Sequence, residues 1–316
     1  MSVGDTAGVG GWSFVCPGCS APLRLPESGR ASCNNCQHPI ARTDGVHSLI
    51  SAAALSKYET FLDTYTQVRM AEGRGEMGKD ILRRLPHCPH THPLAWQWRI
   101  RATSFHRLRR ILREHLESGD RILDLGAGNG WMSHRLRADG YRPCAVEINV
   151  DSRDGLGAAQ AFEADWPRIR AGFERLPLAD SSADCAIFNA SFHYTADPAA
   201  TLAEAARVVA AGGLIVIVDT PFYQRYDSGR QMMQESQQYF EGLIGQRSDS
   251  MDSIGFLTWD RLEKLGRELG LDWHIVRPWY GLGWFLRPLR AKLRRQREPA
   301  AFAIACAYNP SSAATD

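Results

Sequence analysis

From Arg121 to Val218 the sequence alternates short apolar runs with amphipathic stretches, and nothing else in the chain restricts the fold as much. RILDL, RPCAVEI, DCAIFNA and GLIVIVD read as buried strands, with RIRAGF a weaker one between the second and third of these. The intervening residues 129–139, 151–166 and 198–210 read as helices, the first stopped at Gly140 and the last opened by Pro198 in its first turn. Repeated strand–helix units of this kind imply an α/β fold, a parallel sheet with helices on both faces. Helical patterns at 229–245 and 258–269 follow, with two further strand patterns, LDWHIVRP and AFAIACAY.

Between the first strand and the first helix lies Asp124-Leu-Gly126-Ala-Gly128-Asn-Gly130. Glycines at such a bend permit a tight turn and let a ligand reach the backbone. A dinucleotide fingerprint, G-x-G-x-x-G, would need glycine where Trp131 stands. Asp124 at the strand end would repel a pyrophosphate but would suit a ligand carrying an ammonium or sulfonium charge. Glu147, about twenty residues on and ending the second strand, could accept both hydroxyls of a ribose.

ILDLGAGNG and AVEIN resemble the first two motifs of the class I S-adenosylmethionine-dependent methyltransferases, of the type 11 kind. FERLPLADSSADCAIFNASFHYTADP is similar to their third-to-fourth-strand region, and EAARVVAAGGLIVIVD to the helix and strand that follow. The resemblance covers about 120–220. It implies a Rossmann-like seven-stranded sheet whose seventh strand is antiparallel, and S-adenosylmethionine as cofactor. It also implies roles for residues. Asp124 and Gly126 would hold the methionine end, Gly128 and Gly130 would pack the loop beneath it, and Glu147 would take the ribose. Phe173 and Glu174 would lie beside the adenine, with Asn189 also on the cofactor side. Many relatives carry aspartate where this chain has Gly172, which leaves adenine to backbone groups and Phe173. Methyl transfer from a sulfonium is an in-line displacement that needs alignment and exclusion of water. His193, just beyond the fourth strand, is the candidate catalytic base because an imidazole titrates near working pH, and Tyr194 could orient the acceptor.

Cys16-Pro-Gly-Cys19 and Cys33-Asn-Asn-Cys36 form a C-x2-C…C-x2-C array. Two such knuckles close four thiolates on a tetrahedral Zn2+, leaving no open position, so the metal would be structural. The ribbon with the DGVHSLIS that follows it resembles the N-terminal zinc ribbon of some bacterial ribosomal-RNA guanine methyltransferases. The remaining cysteines are scattered, and a reducing cytoplasm fits their use. His87, Cys88, His90 and His92 make a second ligand-rich stretch, which reads as a proline-punctuated loop.

These signals divide the chain into a zinc ribbon with a frayed start (1–50), a helical lid or linker (51–118) and the cofactor-binding domain (119–316). In the linker, Leu55, Tyr58, Phe61, Leu62 and Tyr65 form a buried stripe, and Trp96, Trp98 and Arg99 are candidates for covering a substrate cleft. The N-terminus has no signal-peptide pattern, and no apolar run is long enough to span a membrane. Net charge is only +2, which excludes a chain-wide polycation, but 279–300 mixes tryptophans with a basic run. That segment could hold RNA, touch an anionic membrane surface peripherally, or be a solvated helix. The expected function is methyl transfer to a small or lipid-like metabolite. Alternatives are RNA methylation guided by the ribbon, and a non-catalytic binding protein that keeps the cofactor fold.

Overall fold

A computed structural model describes residues 9–246 and 252–310. The expectation of a frayed start falls, for residues 1–8, outside the described residues. The ribbon region holds β1 (Phe14–Val15), β2 (Pro22–Leu23), β3 (Gly29–Ser32), β4 (Pro39–Thr43) and β5 (Val46–Ser48). Helices α1 (Ala52–Ser56), α2 (Glu59–Ala71), α3 (Lys79–Arg84) and α4 (Ala95–His115) follow. The alternating region is β6 (Arg121–Leu125), α5 (Trp131–Ala138), β7 (Arg142–Glu147), β8 (Arg168–Arg170), β9 (Ala183–Asn189), α6 (Pro198–Val208) and β10 (Val209–Val218). Beyond it come β11 (Phe222–Tyr223), α7 (Tyr226–Ile244), β12 (Leu257–Thr258), α8 (Trp259–Leu269), β13 (His274–Val276), α9 (Leu282–Phe285), α10 (Arg287–Leu293) and β14 (Ile304–Tyr308).

Strand order in the main sheet is β13-β14-β10-β9-β6-β7-β8-β5-β4-β3. The first seven of these are the expected Rossmann-like sheet, with β14 antiparallel to both β10 and β13. The sheet does not stop there. β5 pairs in parallel with β8, His47 opposite Ile169, so three ribbon strands extend it to ten. The ribbon is thus continuous with the sheet that follows it. Asp44-Gly45 makes the β4–β5 turn with positive φ at both residues, 52° and 76°, the pattern of a type I′ hairpin.

Side chains that alternate along the strands sort into two cores. Leu123, Leu125, Val146, Phe188 and Ile217 join Leu202 and Val208 of α6 and Leu262 and Leu265 of α8. Trp12, Phe14, Ile40 and Leu49 of the ribbon belong to that same core. Ile122, Ala145, Ile187 and Val216 point the other way, onto Phe105, Leu108 and Leu112 of α4 and Met132 and Leu136 of α5.

Two local expectations fail for identifiable reasons. Residues 151–166 form only a 3-10 segment, Leu156–Phe162. Asn149 and Asp151 bond their side chains to the amides of Asp151, Arg153 and Asp154, and Gly155 and Gly157 lie within the stretch. Such local side-chain bonds compete with helix formation. The 279–300 segment breaks into α9 and α10 because Gly281, Gly283 and Pro288 interrupt it. No helix is long and apolar enough to cross a membrane.

Candidate functional site

The carboxyl ends of β6, β7, β9 and β10 open into one cavity of about 650 Å³, within the range of small-molecule sites. Asp124, Gly126, Gly128, Glu147, Phe173, Glu174, Asn189, His193 and Tyr194 all line it, as do residues of α2 and α4. Gly130 sits just beneath, as the N-cap of α5, where a Cβ would come within 3.2 Å of Ala159 Cβ.

The glycine loop is shaped by backbone demands. Gly126, Gly128 and Gly130 have φ of 75°, 55° and 79°, the left-handed region that other residues enter at a cost. At Gly126 a Cβ would fall 2.2 Å from the Cβ of Ser191, so this turn admits no side chain at all. At Gly128 a Cβ would meet nothing, because that position faces the cavity. The Gly128 amide donates to Glu147 Oε2 at 2.9 Å, while Ile148 and Asn149 amides donate to Oε1 at 2.8 and 2.9 Å. Burial raises the pKa of Glu147, and those amides work against the rise. The carboxylate is therefore held rigidly at the strand end.

Asp124 is almost fully buried. Its Oδ2 accepts from Ser133 Oγ at 2.7 Å, and its Oδ1 has no partner. Burial pushes its carboxyl up to about 7, with Glu147 adding to the rise and the Ser133 hydrogen bond opposing it. Asp219, at the end of β10, repeats the arrangement. Its Oδ1 accepts from Ser104 Oγ at 2.5 Å, Oδ2 is unpartnered, and burial raises it to about 6. Among the described residues, these are the two buried carboxylate oxygens without a hydrogen bond, and both line this cavity. Unpaired buried acceptors are costly and rare in native folds. They fit a ligand that brings donors and positive charge.

The pH consequence of Asp124 has a definite sign. Its folded pKa lies above the unfolded value, so the stability it contributes is full below about pH 4 and is lost as pH rises through 7. Asp124→Asn cannot ionise and should escape that loss. Urea titrations of the ligand-free chain from pH 4 to 8 should show the variant gaining on the parent by up to about 4 kcal/mol. Parallel curves would refute the burial argument.

Tyr58 donates to Glu174 Oε1 at 2.6 Å. This contact accounts for Gly172, where a Cβ would lie 2.4 Å from Glu174 Oε2 and 2.8 Å from the Tyr58 hydroxyl. Phe173 packs edge-on against Phe188 with ring centres 5.7 Å apart. His193 lies in the helical turn Phe192–Tyr194. Burial and the nearby Arg101 depress its imidazole to about 4, and Nδ1 has no partner. The expectation of a pKa near working pH is thus not met, because the ring is desolvated beside a guanidinium.

The remaining wall of the cavity combines residues singled out from sequence with Arg69, Arg74, Arg101 and Asp219, which were not. Tyr194 meets Phe61 and Tyr65 of α2 at ring separations of 6.0 and 5.9 Å. The periodic stripe of α2 therefore faces a cavity. Three arginines enter the same wall. Arg69 pairs with Asp154, and Arg74 with Glu72 and Gln97. Arg101 lies over Trp98 at 4.9 Å and makes no hydrogen bond or ion pair among the described residues. Of the lid candidates, Trp98 lines the cavity, whereas Trp96 is 60% exposed and Arg99 is exposed outside the lining. Asp219 was legible in principle as a second carboxylate ending a buried strand. Arg101 was legible only as one helical turn beyond Trp98.

The four cysteine Sγ atoms lie within 4.8 Å of one another. Cys16–Cys36 and Cys19–Cys33 separations are 3.5 and 3.7 Å, close to the ~3.8 Å edge of a tetrahedral zinc–thiolate site. Gly18 and Asn35 amides point at Cys16 and Cys33 Sγ, giving two matching knuckles. Among the described residues this is the one cluster of three or more such ligands. The His87–His92 stretch forms none; His87 lies against His106 instead, and His92 Nδ1 accepts from the Leu94 amide.

The family model described as a methyltransferase domain matches residues 123–217. A dimethylglycine N-methyltransferase of Parasynechococcus marenigrum (strain WH8102) is 34% identical over 112 residues, 34% of this chain and 40% of that protein. A demethylmenaquinone methyltransferase of Mycobacterium sp. (strain KMS) is 34% identical over 101 residues, 32% and 42% of the respective chains. The chain thus spans well under half the length of these curated relatives. Among solved structures, a geranyl diphosphate C-methyltransferase from Streptomyces coelicolor A3(2) superposes with a TM-score of 0.48 at 18% identity, covering 77% of this chain and 98% of that one. Residues 123–217, which carry the glycine loop, Glu147, Asn189 and His193, are thus the part of the chain that is similar to the methyltransferase-domain family.

Proposed function

We propose that the chain transfers a methyl group from S-adenosylmethionine to a small or lipid-like metabolite. The observation that carries this reading is the pair of unpartnered carboxylate oxygens, on Asp124 and Asp219, in a cavity that also holds the glycine loop and Glu147. Asp124 would face the charged amino-acid end of the cofactor, Glu147 the ribose, and Phe173 the adenine. Bound there, the cofactor supplies an electrophilic methyl group. The chain's own residues would align the acceptor, exclude water and hold its proton.

His193 is neutral at ordinary pH, with a free ring nitrogen at the cavity. It would accept a hydrogen bond from the acceptor's hydroxyl or amine and position it, with Tyr194 beside it. His193→Ala should leave S-adenosylhomocysteine affinity unchanged and slow turnover about a hundredfold. Turnover at the parental rate would remove His193 from the mechanism. Arg101 and the aromatic wall of Phe61, Tyr65 and Tyr194 favour an acceptor with an anionic group and an apolar body. A partly buried guanidinium with no hydrogen bond or ion pair among the described residues carries a desolvation cost, and an acceptor carboxylate or phosphate would relieve it. Zn2+ on the four cysteines would hold the ribbon together and take no part in transfer.

The test is incubation of fractionated cell extracts with the chain and isotopically labelled S-adenosylmethionine, followed by mass spectrometry. Label should enter a small acidic molecule. Label in RNA would favour the alternative reading. Failure of S-adenosylmethionine to bind by calorimetry would leave only a non-catalytic one.

A further inference from the structure

The segment from 273 to 297 holds seven Lys or Arg residues and no acidic residue. Within it, α9 and α10 expose Leu282, Phe285, Leu289 and Leu293 to 63, 65, 55 and 76%, with Trp279 at 64% just before them. Of the ten exposed large hydrophobic side chains among the described residues, five fall in these fifteen positions. Leu282 and Phe285 lie one turn apart on α9, and Leu289 and Leu293 one turn apart on α10. Beside them, the side chains of Arg290, Lys292, Arg294 and Arg295 are exposed and make no hydrogen bond or ion pair among the described residues. The opposite side of the same segment is anchored. Trp284 stacks on Phe302 at 5.6 Å, Arg287 covers Trp284, and the Tyr280 hydroxyl sits 2.8 Å from Ser104 Oγ. Phe302 and Asp219, the partner of Ser104, both line the cavity.

We infer that this face seats the protein on an anionic phospholipid surface, with the leucines and Phe285 entering the headgroup boundary and the cations meeting lipid phosphates. Exposed apolar residues flanked by Lys and Arg, with no acid among them, are what an interfacial element presents to a membrane. A second copy of the chain is a poorer occupant, because a symmetric contact would bring the two cation sets together. RNA would use the arginines but has no use for three exposed leucines; single strands are held through aromatic stacking and phosphate contacts. Because the segment's inner side packs against Phe302 and against Ser104, the partner of Asp219, and both Phe302 and Asp219 line the cavity, seating it on lipid would bring that side of the cavity towards the bilayer. That last consequence rests on the methyltransferase reading, whereas the surface itself does not.

The experiment uses the full chain with phosphatidylglycerol–phosphatidylcholine vesicles, pure phosphatidylcholine vesicles and homopolymer RNA. Co-sedimentation should occur with the anionic vesicles and weaken as salt rises. The triple variant Leu282→Ser, Phe285→Ser, Leu289→Ser should bind them at least about tenfold more weakly. Each of Arg290→Gln, Arg294→Gln and Arg295→Gln should cost about fivefold. All of these should retain S-adenosylhomocysteine binding, since none of the four elements of the cofactor seat is touched. The inference is overturned if the parent ignores anionic vesicles. It is also overturned if the serine variant binds them undiminished, if RNA is bound and only the arginine variants lose it, or if ultracentrifugation finds a dimer that the serine variant dissolves. Loss of S-adenosylhomocysteine binding by the parent, with vesicle binding intact, would instead count against the proposed function alone.

Discussion

Gly128→Val should abolish measurable S-adenosylhomocysteine binding while leaving a folded protein. A Cβ at this position meets no atom of the chain, so the valine has room, and that room is the cavity itself. Its methyl groups would occupy the space between the loop and Glu147 where a cofactor would have to approach the backbone. The φ of 55° adds strain for a β-branched side chain, about 1–3 kcal/mol, which a domain of this size tolerates. Affinity should fall by more than a hundredfold, since even about 3 kcal/mol of lost contact is that large. Gly126→Ala provides the contrast. There the added carbon would fall 2.2 Å from Ser191 Cβ, inside the β6–β9 end of the sheet, so the variant should unfold at visibly lower temperature. Calorimetry and thermal melts together separate the two. Parental affinity in Gly128→Val would mean the glycine loop is not a ligand seat.

Cys33→Ser, or exhaustive chelation, should destabilise far more than the ribbon. In a free-standing zinc module the damage would stay local. Here β5 hydrogen-bonds to β8, and Trp12, Phe14, Ile40 and Leu49 are fully or nearly fully buried in the core shared with α6 and α8. The ribbon has little core of its own, so metal bound at the four cysteines would supply much of its folding energy. Removing one thiolate should cost more than about 4 kcal/mol and expose an edge of the main sheet at β8. The purified parent should contain one zinc per chain by elemental analysis, and the variant none. A metal-free parent with an unchanged melt in Cys33→Ser would dismiss the zinc site.

That Asp124, the glycine loop and Glu147 come together could be read before any coordinates because these parts are local. Asp124, the three glycines and Glu147 sit at consecutive strand ends, and a parallel sheet brings such ends to one edge whatever else the chain does. The cysteine pairs were legible for a similar reason: two short knuckles carry their geometry in their spacing. The remaining wall of the cavity was not legible. Tyr65 and Arg69 share α2, but Arg101, Asp219 and Phe302 come from three other parts of the chain, and no sequence period relates those to α2. Amphipathic spacing marked the α2 stripe as buried, but periodicity cannot say whether a face meets a core or a cavity. Desolvation by neighbours from other elements likewise set the low pKa of His193, which its residue type alone would have placed near working pH.

Pattern and local chemistry thus determined the alternating sheet, the glycine-loop edge that borders the cavity and the cysteine knuckles, since each depends on residues close in sequence. Tertiary structure alone decided that the ribbon continues the sheet, that the helical insert walls the cavity with an unpaired guanidinium, and that one apolar, basic face of α9 and α10 stays in solvent. Those outcomes depend on which distant surfaces bury one another, a competition among packing energies that no single stretch of sequence encodes.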